Sequence, residues 1–134
     1  MHLFPLKREG GRLVILREQD HLLRRFGVLE TQSLEPGAST RFGLRVEADQ
    51  ILAPLDGAFA LTLVDLRPAS PSRGARVEIS FPAAGPQGLV LPFGVACRLQ
   101  SAQGARLLRL STHSANHAED REFDDGELPE AAPR

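Results

Sequence analysis

Residues 50–66 read QILAPLDGAFALTLVDL: two apolar runs on either side of Asp56-Gly57. Asp and Gly both tolerate positive φ, and such a pair between two apolar segments is a strong hairpin signal. Each run is too short for an ordinary helix and lacks a 3.6-residue repeat, so both read as strands. Outward in both directions the chain keeps this form, with short apolar segments broken by Gly, Pro, Asp and Ser. The predicted strands are residues 13–17, 27–34, 39–47, 50–54, 58–66, 75–81, 88–91, 96–101 and 105–111. A strand about every ten residues is the spacing of sandwiches and barrels, so the predicted fold class is all-β. Pro36-Gly37 and Gly104 mark further turns, while RPASPSRG (67–74) and FPAAGPQG (81–88) are longer proline-punctuated loops. Only REQDHLLRRF (17–26) offers a helical turn or two.

With 134 residues, 42% apolar and 25% charged, the chain suits one domain. Residues 1–111 are assigned to it, and 112–134 to an acidic tail. HAEDREFDDGELPEAAPR (117–134) is too poor in apolar residues to order itself without help, so a short helix or an extended arm over the barrel is expected near Phe123 and disorder past Gly126. A net charge of −1 gives no general reason to expect nucleic acid or an anionic membrane as partner. No apolar run has the length of a signal peptide or a membrane span, so a cytoplasmic protein is expected. Cys97 is the single cysteine, which excludes an intrachain disulfide and fits a reducing compartment.

The segment RFGLRVEADQ (41–50) has the spacing of a ligand strand without the ligands. Many small double-stranded barrels carry a glycine, His-x-His, an acid and a closing glycine, then Pro-x-Gly and a third His. Here Gly37 opens the frame, Leu44 and Val46 stand at the His-x-His positions, Gln50 at the acid and Gly57 at the close. Pro92 and Gly94 follow, with Cys97 at the third His position. In this order and spacing the chain resembles the cupins. Alternation would put Phe42, Leu44 and Val46 together on the barrel-facing side with Cys97. Gln50 and Cys97 alone fall short of the ligand number of a transition metal, so neither metal nor cofactor is expected.

Within the cupins, LFPLKREGGRLVILREQD (3–20), the central segment 35–63, GLVLPFGVACRL (88–99) and RLLRLSTHSANHAEDREFDD (106–125) resemble the WxcM-like or FdtA-like 3,4-ketoisomerases. VDLRPASPSRG (64–74) is similar to the matching part of the dTDP-4-dehydrorhamnose 3,5-epimerases. The resemblance implies an RmlC-like cupin jelly roll, a metal-free homodimer, and a dTDP-linked 4-keto-6-deoxyhexose as substrate. Its chemistry shuttles a proton between neighbouring carbons and needs a base near neutral pH. The family histidines fall on Leu44, Val46 and Cys97, and the chain has no Tyr to replace them. Arg41 and Gln50 match the family's Arg and Gln and are the candidate ligand-binding residues. Arg45 shares the face of Arg41 and either assists it or is solvated.

Cys97 is read as an inert buried thiol, since Arg98 next to it points to the opposite face. His113 and His117, four apart, and the acids of DREFDDGE (120–127) are read as solvated tail residues. Two functions follow as expectations. One is a degenerate cupin that binds a nucleotide sugar or similar carbohydrate with lost or altered isomerase chemistry. The other is a non-catalytic dimeric module whose pocket is closed and apolar.

Overall fold

The computed structural model describes residues 2–17 and 20–127. Its strands are β1 (His2–Pro5), β2 (Lys7–Glu9), β3 (Arg12–Val14), β4 (Val28–Leu34), β5 (Phe42–Leu44), β6 (Gln50–Asp56), β7 (Phe59–Asp65), β8 (Arg76–Phe81), β9 (Gln87–Leu91), β10 (Val95–Gln100), β11 (Ala105–Ser111) and β12 (Arg121–Phe123). One sheet has the order β1-β9-β6-β11-β4, the other β12-β5-β10-β7-β8, and β2 and β3 form a small hairpin. All pairs are antiparallel. Two facing sheets whose successive strands mostly alternate between them make a jelly roll.

That alternation corrects the hairpin expected at Asp56-Gly57. The turn is there, with Gly57 at φ 72°. Yet β6 pairs with β9 and β11 while β7 pairs with β8 and β10, so the turn arches from one sheet to the other. A side chain at residue 57 would run into the Gly104 carbonyl oxygen. Gly104 lies in the arch between β10 and β11, so the two arches abut and close one end of the barrel.

Three apolar clusters fill the molecule. The interior one takes the inward residues of both sheets, among them Leu52, Leu89 and Leu107 facing Leu61, Leu63, Cys97 and Leu99. A second lies on the outer face of the first sheet, where Phe4 and Leu6 cover Ile51, Ala53 and Leu110. The third lies on the outer face of the second sheet, where Phe123 of β12 packs with Phe42, Val64, Leu66 and Ala96. Both faces of β6 and β7 are therefore covered, and the alternation of a half-solvated strand is lost there.

Segment 112–127 is more than a solvated tail: it contributes β12, which pairs along β5 in the register Arg121↔Leu44, Phe123↔Phe42. The expected disorder past Gly126 falls mainly on 128–134, outside the described residues. No α-helix forms among the described residues of 17–26. β1, β2 and β12, only three or four residues each, are additions to the expected strand set.

Candidate functional site

At the end of the barrel away from the Gly57 and Gly104 arches, inward positions turn polar. Along β11, Ala105 and Leu107 belong to the apolar interior, and by alternation Arg109 is the next residue on that face. On β4 the inward residue Leu34 is followed toward the mouth by Gln32 and Glu30, which line the cavity there. The resulting cavity is about 500 Å³, lined by Glu30, Gln32, Arg45, Gln50, Cys97 and Arg109 among others.

Arg109 crosses this space. Its Nη1 donates to Gln50 Oε1 at 2.7 Å and its Nη2 to Gln32 Oε1 at 2.9 Å. Burial lowers the pKa of the guanidinium, and the nearby Arg45 adds to that. Gln50 is 3% exposed, so the expected ligand residue does reach the interior, where it holds Arg109.

The faces of the 41–46 segment are the reverse of those expected. Gly43 lies directly opposite Cys97, and opposed residues in an antiparallel pair share a face. Cys97 belongs to the interior, so position 43 faces inward. Phe42 and Leu44 face outward, packed in the cluster under Phe123. Val46 lies past the end of β5 and lines a separate surface cavity beside Arg67 and Phe93. Leu44 borders both this cavity and the barrel-mouth cavity that Cys97 lines, but no one cavity takes all three, so Leu44, Val46 and Cys97 do not converge on a common site. By register the strand turns Gly43 and, two further on, Arg45 toward the barrel-mouth cavity, which Arg41 and Leu44 also border.

Arg45 is pinned from the other side by the loop after β11. Its Nε donates to Asp120 Oδ2 at 2.8 Å and its Nη2 to the carbonyls of Ala115 and His113 at 3.3 and 3.4 Å. Asp120 also accepts the main-chain N–H of Val46 at 2.8 Å and of His117 at 2.9 Å. Although burial opposes ionisation, these bonds leave its carboxyl below its usual pKa. Arg41 stands at the exposed rim, where Nε donates to Asp124 Oδ1 at 3.0 Å and Nη2 to Glu127 Oε1 at 3.4 Å. The bond to Asp124 raises its pKa.

Cys97 is buried, and desolvation pushes its thiol up to about 12 against a smaller opposing effect of Arg109. Such a thiol is no nucleophile near neutral pH. His113 and His117 are not brought together. His113 Nδ1 lies 2.8 Å from Thr112 Oγ1 and its Nε2 3.4 Å from Glu47, whereas His117 Nδ1 accepts the Glu119 N–H. Among the described residues no group of three His, Cys, Asp or Glu is placed to hold a metal ion. Sequence reasoning missed Gly43, Arg109, Gln32 and Glu30. The signal for Arg109 was present as a single charge continuing the inward series 105, 107, 109.

No protein-family model and no curated protein matches the chain. Solved structures do. The chain superposes on a dTDP sugar isomerase from Desulfovibrio desulfuricans G20 with a TM-score of 0.80 at 18% identity, covering 94% of this chain and 83% of that one. A dTDP-4-dehydrorhamnose 3,5-epimerase from Sulfolobus tokodaii gives 0.79 at 16% identity, over 95% of this chain and 78% of that one. ChmJ, a 3′-monoepimerase from Streptomyces bikiniensis in complex with dTDP-quinovose, gives 0.79 at 14% identity, over 92% and 69%. The chain has the RmlC-like cupin fold, as its strand order and these superpositions agree.

Proposed function

We propose that the protein is a degenerate cupin that binds a nucleotide sugar or a similar anionic carbohydrate in the barrel mouth, with the isomerase chemistry lost or altered. The observation that carries this reading is the make-up of the cavity. Its inner wall presents Arg109, Gln50 and Gln32, groups that bind oxygen, while Gly43 and a non-ionising thiol occupy the facing strands. Its lining has no His; of its carboxylates, Asp120 is engaged by Arg45 and two main-chain N–H groups, while Glu30 and Glu122 are solvent-exposed. Loss of a positioned acid or base commonly removes a factor of about 10² to 10⁴ per group. A volume near 500 Å³ with a polar inner wall favours binding over the alternative of a closed apolar module.

Calorimetric titration with dTDP and dTDP-glucose, beside an assay of dTDP-4-keto-6-deoxyglucose isomerisation, tests the reading. Binding with negligible turnover is expected. Turnover at a rate ordinary for enzymes, about 1 s⁻¹ or more, or no binding of either nucleotide at millimolar concentration, would overturn it. The proposed setting is the cytoplasm. Among the described residues no helix is long and apolar enough to cross a membrane. The proposed assembly is a homodimer, which the outer edges of β4 and β8, unpaired among the described residues, favour.

A further inference from the structure

Arg109 is the most heavily desolvated of the cations lining the cavity, and among the described residues it has no counter-ion; Arg121, also without an ion pair there, is exposed to solvent. Its hydrogen-bond partners are two neutral amides, Gln50 and Gln32, and among the described residues it makes no ion pair. These bonds take two of the five N–H donors of a guanidinium. Glu30 stands opposite Arg109 on β4 and draws on its charge from a distance, but it is exposed and does not pair with it. Arg45 lines the same space, and the charges of the two arginines repel. Asp120 forms an ion pair with Arg45, whereas among the described residues no carboxylate forms one with Arg109, on which Glu30 acts only through its field. A buried charge without a partner is costly, and such charges are normally paired. Here the cost is met beside an open cavity and not inside a packed core.

We propose that the inner end of the cavity is a seat for an acidic group on the sugar portion of the ligand, a carboxylate or a phosphate, held between Arg109 and Arg45. This inference rests on the reading of the barrel mouth as a carbohydrate site and names the class of sugar it takes. Arginine suits the task because its planar fork meets two oxygens of a carboxylate or phosphate at once. The flanking surfaces agree with an acidic occupant of modest size. Gly43 puts no side chain into the space, and Cys97 supplies a neutral wall. The nucleotide portion, where present, lies further out toward Arg41 and Arg121, which line the same cavity.

The test compares glucose, glucuronate and glucose 6-phosphate by ligand-observed NMR, and dTDP-glucose with dTDP-glucuronate by calorimetry. A charge-assisted pair predicts that the acidic member binds roughly tenfold or more tighter than its neutral counterpart. Which acidic sugar gains more tells carboxylate from phosphate. Arg109→Gln is expected to bring the acidic-to-neutral ratio to about one. Gln50→Glu, which supplies an internal carboxylate to the same guanidinium, is expected to abolish the preference as well and to raise Tm. The rise in Tm separates an uncompensated charge from an arginine that merely braces two strands. Equal binding of acidic and neutral sugars, absence of binding by every acidic probe, or a preference that survives both substitutions would overturn the proposal. Failure of the dTDP compounds alone, with Arg109-dependent binding of a free acidic sugar, would sink the nucleotide-sugar reading and leave this one standing.

Discussion

Nothing lies within 4 Å of the point where a Cβ on Gly43 would sit, although the residue is in a sheet and opposite the buried Cys97. Gly43→His therefore puts an imidazole into open, hydrated space, and urea denaturation followed by circular dichroism is expected to show a change within about 1 kcal/mol. Leu44→His, one residue on, places the ring among Phe42, Val64 and Phe123 and is expected to cost about 1 to 3 kcal/mol. Equal losses at both positions would contradict the assigned faces. The period of two correctly separates 42 and 44 from 43 and 45, but it carries no sign for inside. Phe42 and Leu44 look like interior residues because β12 makes a second apolar layer over the outer face, and no local pattern in 41–46 announces that cover. Cys97 gives a further check. Iodoacetamide is expected to leave it unmodified in the native protein at pH 8 and to alkylate it rapidly in urea. With the native thiol pushed up to about 12 and the unfolded one near 8.5, the unfolded state releases its proton first. The contribution of Cys97 to stability is thus intact below about pH 8.5 and is lost on rising toward pH 12.

The arm that carries β12 is fastened in two ways. Phe123 is 5% exposed and stacks on Phe42 with centroids 6.4 Å apart, while Arg76 holds Asp125 through two bonds of 2.9 and 3.1 Å. Phe123→Ala is expected to cost about 3 to 5 kcal/mol, and to speed hydrogen exchange at Leu44 on the neighbouring strand. The pKa values of Asp120 and Asp125 are lowered in the fold, so their contributions are present above the ordinary aspartate value of about 3.9 and are lost as pH falls through the native values. Exchange of the arm should therefore rise in acid before that of the interior strands, which pH-dependent measurements check. At this scale strand existence was legible: β4, β7, β8, β9, β10 and β11 lie within a residue or two of their expected bounds. Partner choice was not, since Asp56-Gly57 chemistry permits a reversal of direction and leaves open whether the chain returns beside itself or across the barrel. The small strands β1, β2 and β12 owe their pairing to edges supplied by distant residues, and so leave little mark in their own sequence.

The molecule as a whole presents β4 and β8 as sheet edges, and β4 exposes Leu29 at 54% with Phe26 just before it at 67%. Light scattering at micromolar concentration is expected to give the mass of a dimer, and a monomer there would count against the proposed assembly. What was legible at this scale was an all-β barrel. What was hidden was the chemistry inside it, because Arg109, Gln32 and Gln50 meet from three strands that stand 18 or more positions apart in the chain. The sheet-to-sheet arch at Gly57 has a kinetic side too. With β6 and β7 sent to different sheets, consecutive strands among the described residues pair only at β2–β3 and β7–β8; β6 finds its partners in β9 and β11, and β4 pairs with β11, near the far end of the barrel sequence. Chain closure over such separations comes before its reward, so folding dominated by distant partners is slow, on the order of milliseconds to seconds. The chain has no Trp or Tyr to report it, and stopped-flow circular dichroism is the measurement to use. Truncation before β11 should then yield not a weaker barrel but a chain without a folded state, whose first sheet has lost the strand that joins its two halves.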